Sequence, residues 1–475
     1  RDGDARVSLG SPDHTSGSAG SRSHLVMSAA RLAAYRVLRS VDADEDLPAA
    51  LTRYRDVLAD ARDRALVTEL ATGVLRWRRA LDFEISHGVR RALTDLDPEV
   101  LTVLRLGAYQ LRHLQRIPNA AAVSESVQLV RAARKSSAAG LVNAVLRAMS
   151  TPSRQVDLPA DPGPAGVRDD QLRFLGVTGS HPDWLVERWL ARLGHEAACR
   201  WVAFNNQPAA LTLCADTRRS NRASVAEALR RQGIATSPTR YAPSGLQVLE
   251  GNPLRTAAFE DGLFHVQDEA SQLVGALANV TPGEQVLDAC AAPGGKTLAL
   301  EVGLGGRGRV VASDYRWGRV RLLRRTLARM ASARTSVLRL DATQPFPFGP
   351  VFDCVLLDVP CSGLGVLRRD PEIRWRRTAA DLERFQAVQL EMLGHAARCL
   401  TASGRLLYAT CSTEPEENEQ VIESFLRGHP EFVIRRPGSI VENFTQLLDE
   451  NGFLVTRPDR HGLEGFFGAL LQRQG

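Results

Sequence analysis

The sequence predicts a multidomain chain: an all-α helical domain, then a larger α/β domain on an open sheet, with a small α/β subdomain between them. Three observations carry this prediction. From Ser28 to Ser150, apolar residues recur only at helical spacing. From Val286 onward, five strand-like runs alternate with helical patterns, as successive βαβ units do. Between them, Thr151 to Asp170 is rich in Pro, Gly and Asp around the run PADPGPAG and reads as a linker. That linker predicts that the two halves separate on limited proteolysis.

Residues 1–26 are rich in Ser, Gly and Asp without an apolar period, and are expected to be disordered. Met27 precedes the first helical pattern and is the expected natural start. In residues 27–150, Leu32, Tyr35, Leu38 and Val41 form a stripe. Asp97 is expected to cap a helix that has Pro98 at its first position. Leu101, Leu104, Ala108 and Leu111 then share one face. Val123, Val127 and Val130, and then Leu141, Val145 and Leu146, make further stripes. No cluster of catalytic residue types falls here, so the region packs, binds or positions something. Arg131, Arg134 and Lys135 are candidate RNA contacts, and a solvated helix face explains them equally well.

Residues 171–260 form a connector and the small subdomain. His181-Pro182-Asp183-Trp184-Leu185 starts a helix expected to run to about Ala198. Leu211 to Ala215 and Gly245 to Leu249 read as strands around a helix from Ser224 to Gln232.

Residues 261–475 carry the chemistry. Val286 and Leu287 end in Asp288. A loop of small residues follows, Ala289 to Gly295, and Lys296 and Thr297 open an apolar helix. Gly294 and Gly295 let the backbone approach a ligand and leave unhindered N–H groups at a helix start. Four more strand-like runs end in Asp314, Asp341, Asp358 and Thr410-Cys411-Ser412, and Val359-Pro360-Cys361 follows Asp358. One such Asp is as readily a turn or cap; the series delivers acids and thiols to one sheet edge, where α/β proteins bind ligands. Asp314 lies about twenty residues past the glycine loop, the offset of a ribose-binding carboxylate. Cys354 and Cys399 sit in apolar patterns and are expected in the core. In LRRDPEIRWRR, Arg368, Arg369, Arg374, Arg376 and Arg377 surround Trp375, which suits phosphate binding and base stacking; a surface helix with one packed Trp is the alternative.

The chain has 475 residues and a net charge of +6. Lys135 and Lys296 are its only lysines, so the basicity reflects arginine usage as much as a polyanionic partner. No apolar run approaches the ~20 residues of a membrane span. No signal peptide is visible, and a cytoplasmic protein is expected. The seven cysteines are scattered without Cys-x-x-Cys spacing, so neither disulfides nor a zinc site is expected.

The runs LDACAAPGGKT (Leu287 to Thr297), LDVPCSGLG (Leu357 to Gly365) and ATCSTEPEENE (Ala409 to Glu419) resemble the Sun-type RNA cytosine carbon-5 methyltransferases, as do FHVQDEAS (Phe264 to Ser271) and GFF (Gly465 to Phe467). LRLGAYQL (Leu104 to Leu111) and GLVNAVLR (Gly140 to Arg147) resemble the NusB-like RNA-binding domain of that family's ribosomal RNA branch, often called RsmB. The resemblance implies a Rossmann-like catalytic domain that uses S-adenosylmethionine and acts on 16S ribosomal RNA, at cytosine 967 (RNA numbering), as a monomer. It makes Cys411 the nucleophile, Cys361 the group that assists product release, and Asp358 a contact to the cytosine edge and the cofactor. It places the methionine part within Cys290, Ala291, Ala292, Pro293, Gly294, Gly295 and Lys296. The ribose falls to Asp314 with Arg319 nearby, and the adenine or a neighbouring ribose contact to Asp341. No metal is implied.

Two departures stand out. Cys214-Ala215-Asp216 occupies the place of an Arg-x-Asn triplet, which weakens an RNA role for that strand, and Glu464 replaces the Asp before Gly-Phe-Phe. Rival readings are a tRNA cytosine methyltransferase and a non-catalytic RNA-binding assembly factor. A dinucleotide oxidoreductase leaves the two strand-end thiols unexplained.

Overall fold

The computed structural model describes residues 28–437 and 444–474. The expectations for residues 1–26 and for Met27 lie outside this range. Among the described residues, no helix is long and apolar enough to cross a membrane.

The N-terminal part is a bundle of helices from Ala29–Asp42 to Ala139–Ser150. Its centre is the helix Pro98–His113, where Val103, Leu104 and Ala108 are fully buried. Pro98 starts that helix as expected, but Asp97 makes no side-chain cap. Its carboxylate is drawn outward to the Lys135 ammonium at 2.9 Å, which also engages one of the three candidate RNA cations.

The expected helix from His181 is two, Asp183–Leu193 and His195–Asn205. Gly194 breaks it at φ +77°, a conformation that side chains other than glycine resist. The small sheet has strands β1 (Thr212–Ala215), β2 (Ala235–Pro238), β3 (Gly245–Glu250) and β4 (Phe264–Val266), in the antiparallel order β2-β3-β1-β4. The sequence reading missed β2 and assigned β4 to the catalytic part. Three residues cannot show a period, and only pairing with β1 defines that strand. Asp216, just past β1, is buried on the Arg218 guanidinium, which continues to Glu301. The departure from Arg-x-Asn therefore joins the subdomain to the catalytic domain.

The large sheet comprises β5 (Gln285–Asp288), β6 (Arg309–Asp314), β7 (Thr335–Arg339), β8 (Phe352–Asp358), β9 (Leu400–Thr410), β10 (Phe432–Ile434), β11 (Leu454–Val455) and β12 (Phe467–Arg473). The order is β10-β12-β9-β8-β5-β6-β7, with β11 beside β12. β5 to β9 pair in parallel, and β12 runs antiparallel to β9. The chain order reverses around β5, so the crevice lies beyond the carboxyl ends of β5, β6 and β8. Cys354 and Cys399 are buried, as expected.

The arginine-rich run after Cys361 is a seam between domains, not an RNA-binding face. Trp375 packs against the helical core and donates its indole N–H to the Leu75 carbonyl at 2.6 Å. Arg374 is completely buried and donates to the carbonyls of Arg76, Ser180, Leu367 and Asn205. Burial lowers its pKa to about 9. Arg376 pairs with Asp46, Arg369 with Asp268, Arg368 with Glu464, and Arg377 donates to the Ser362 carbonyl. A guanidinium fork fits backbone carbonyls as well as phosphates, and sequence does not distinguish the two. The seam docks the helical domain on the catalytic one despite the linker.

Candidate active site

The loop after β5 is built to receive a charged ligand. Gly294, at φ +113°, turns the chain into the helix Gly295–Gly303, which has no side-chain N-cap. Its first-turn N–H groups therefore have no helical or capping acceptor. Below the loop, Thr297 donates to Asp288 Oδ2 at 2.6 Å, while Asp288 Oδ1 is buried without a partner among the described residues. Burial pushes the Asp288 carboxyl up to about 7. At the end of β6, Asp314 is nearly buried and accepts from Arg319 Nε at 2.9 Å. Arg319 also donates to the Ala292 carbonyl, clipping the loop to this acid. Asp341 follows β7 and accepts from the Thr343 amide and hydroxyl, a local turn. A helix start without a cap, an orphan carboxylate oxygen and an acid at the ribose position fit a nucleoside donor with an amino-acid tail.

The thiols meet beside this loop. Cys361, just beyond β8, and Cys411, just beyond β9, bring their sulfurs to 3.3 Å, and neither is in a disulfide. The hydrogen bond to Cys411, followed by burial, pushes the Cys361 thiol well up. Lys296 reaches from the loop to Asp358 Oδ2 at 2.8 Å and lies over the Phe466 ring. Burial opposes its charge, yet Asp358 holds it above the ordinary lysine range, with a smaller contribution from Cys411. Lys296 is the cation beside the thiols, its charge interacting with Cys411.

Glu417 holds the two cysteine segments in register. It is fully buried and accepts from the Ser362 amide at 2.7 Å, from both the Ser362 and Ser412 hydroxyls, and from Gln389 at 3.2 Å. Burial raises its pKa against these hydrogen bonds. The Gly365 amide donates to the Cys411 carbonyl, and the Gly465 amide donates to the Gly365 carbonyl. A Cβ on Gly365 would sit 1.9 Å from the Gly465 oxygen, so the approach of these three motifs requires glycine. Glu464 is buried with its carboxylate on Arg368.

Around one sheet edge, the structure thus gathers the Cys290–Lys296 loop, Asp314, Arg319, Asp341, Asp358, Cys361 and Cys411. Sequence reasoning missed Glu417, Asp288 and Phe466 as parts of the site. Glu417 lies within the quoted ATCSTEPEENE run, but nothing in its spacing told a buried acceptor from a surface acid.

Residues 276–472 match the family described as 16S rRNA methyltransferase RsmB/F. Residues 28–151 match the NusB family, and 181–255 a RsmF/B-like ferredoxin-like domain. "Ribosomal RNA small subunit methyltransferase B" of Pseudomonas putida is 35% identical, covering 84% of this chain and 89% of that protein. A Synechocystis protein named "Probable ribosomal RNA small subunit methyltransferase B" is 32% identical, covering 94% of this chain and 100% of the other. The crystal structure of PH0851 superposes with a TM-score of 0.78 at 25% identity, covering 94% of this chain and 99% of that one.

Proposed function

Because this chain belongs to the RsmB/F family of 16S rRNA methyltransferases, S-adenosylmethionine-dependent enzymes, we propose that it methylates carbon-5 of a cytosine in 16S ribosomal RNA. The resembling family points to cytosine 967 (RNA numbering). On this reading the enzyme is a cytoplasmic monomer.

The pair of sulfurs 3.3 Å apart at the ends of β8 and β9, beside Lys296 and Asp358, is the observation that carries the proposal. Cytosine carbon-5 is a poor nucleophile until a thiolate adds at carbon-6. Cys411 forms that carbon–sulfur bond beside the Lys296–Asp358 pair. Asp358 and Lys296 face the base edge and hold the proton that ring nitrogen-3 needs as the ring gains electrons. The methyl donor supplies an electrophilic methyl group to carbon-5. The loop amides would hold its amino-acid end, and Asp314, once Arg319 shifts, its ribose. A base then takes the carbon-5 proton, the carbon-6–sulfur bond breaks, and the ring double bond returns. Cys361, 3.3 Å from Cys411, hydrogen-bonds the departing sulfur as that sulfur takes back the bond's electron pair.

Bisulfite sequencing of ribosomal and transfer RNA from a deletion strain tests the target. Loss of one protected cytosine in 16S RNA, restored by the wild-type gene, supports the proposal. Loss in a tRNA with 16S RNA unchanged moves the substrate, and no loss anywhere defeats the enzymatic reading.

A further inference from the structure

Far along the chain from the thiol pair, three side chains converge without a role in the proposed reaction. Asp161 comes from the linker, and His195 and Cys199 from the helix His195–Asn205. Residues four apart on a helix share a face, so the imidazole and the thiol point the same way. His195 Nε2 lies 2.8 Å from Asp161 Oδ1 and 3.4 Å from Cys199 Sγ, and the three donor atoms all fall within 4.8 Å of one another.

A hydrogen bond from Nε2 to Asp161 satisfies those two groups and leaves no lone pair on that nitrogen for the Cys199 thiol. A ring nitrogen carries either one proton or one lone pair. Nε2 can donate to Asp161 or accept from Cys199, not both at once. A metal on Nε2 puts the ring proton on Nδ1, which is buried and has no partner among the described residues, so that proton needs a water. A single ion bound by all three atoms removes the conflict.

We infer that Asp161, His195 and Cys199 bind a divalent transition metal, zinc by preference, in a site with one position left to water. Thiolate, imidazole and carboxylate is a zinc donor set. Tetrahedral bonds of about 2.0–2.3 Å put the donors roughly 3.3–3.7 Å apart. The sulfur–nitrogen distance already meets this, Asp161 needs to retreat from the imidazole by about half an ångström, and its oxygen lies within 4.8 Å of the sulfur. Its side chain is half exposed, which gives that freedom and admits the water. The Gly163 amide steadies its carboxylate at 2.9 Å. The ion would staple the linker to the connector, beside the existing Thr178 to Pro159 and Gln171 to Gly163 hydrogen bonds. The sequence shows no Cys-x-x-Cys because two ligands come from one helix turn and the third from 34 residues away.

Cobalt titration of the full-length, metal-stripped protein tests this. The Cys361→Ala/Cys411→Ala background removes the close thiol pair of the candidate active site. One equivalent of cobalt should give a thiolate-to-cobalt near-ultraviolet band and tetrahedral visible bands, with release of about one proton. Cys199→Ser and His195→Ala should abolish the near-ultraviolet band, with circular dichroism of the metal-free proteins unchanged. Asp161→Asn should weaken binding at least roughly tenfold. Zinc should displace the cobalt and slow trypsin cleavage between Thr151 and Asp170, and a chelator should restore cleavage. A cobalt band that survives Cys199→Ser, or no uptake by the folded background protein at micromolar metal, overturns the inference.

Discussion

Replacing Glu417 by Gln tests whether the two catalytic segments are held by one carboxylate. Two oxygens of Glu417 accept from four donors: the Ser362 amide, the Ser362 and Ser412 hydroxyls, and Gln389. A glutamine keeps one accepting oxygen and turns the other position into a donor, so about two of the four lose their acceptor. Each buried donor left unpaired costs about 1–3 kcal/mol, giving about 2–6 kcal/mol before the hydroxyls rotate to other partners. Much of that strain falls on the segments that carry Cys361 and Cys411. A misplacement of about 1 Å at a reacting group costs on the order of a hundredfold in rate. Single-turnover methylation of 16S RNA by Glu417→Gln should therefore slow by about a hundredfold or more, while S-adenosylmethionine affinity by calorimetry stays within about twofold. Among the described residues, Glu417 makes no hydrogen bond to the Cys290–Lys296 loop, so a merely unstable protein would lose both properties together. A folded Glu417→Gln enzyme with the wild-type single-turnover rate would show that the sulfurs are positioned by something else.

The thiols should separate on a denaturing gel. Cys361→Ala incubated with RNA and methyl donor should accumulate an RNase-sensitive protein–RNA adduct, while Cys411→Ala and the double variant form none; the reverse pattern exchanges their roles. Asp314→Ala should weaken S-adenosylmethionine binding by about 1–3 kcal/mol with RNA affinity little changed, read by calorimetry and filter binding. Stability should also report on Asp288. Its carboxyl titrates at about 7 in the fold against an ordinary 3.8. Between those values the folded state holds more protons, so this group's stabilisation is full below the unfolded pKa and is lost as pH rises. From pH 6 to pH 8 the loss is about 1.4 kcal/mol, and Asp288→Asn, which keeps an acceptor for Thr297, should remove that slope from denaturant melts.

The catalytic sheet was legible because its signals are local. β5 to β9 each announce themselves by an apolar run and end in an acid or a thiol, and the structure puts those ends on one edge. β10, β11 and β12 show no such end residue; their place comes from antiparallel pairing, β12 on β9 and β10 and β11 on β12, which is a long-range property. The arginine run illustrates the same limit from the other side. Five cations around a tryptophan signal a demand for acceptors, and the chain meets it with Asp46, Asp268, Glu464 and backbone carbonyls of the connector and helical domain. Glu417 is the mirror case, an acid whose donors include two serines that share its neighbourhood only after β8 and β9 have paired. Residue type fixes what a side chain can exchange, whereas topology decides with whom. Motifs that end strands escape that ambiguity, because the sheet itself fixes which neighbours their ends will meet. That is why Cys361 and Cys411 could be paired from sequence while the groups that hold them could not.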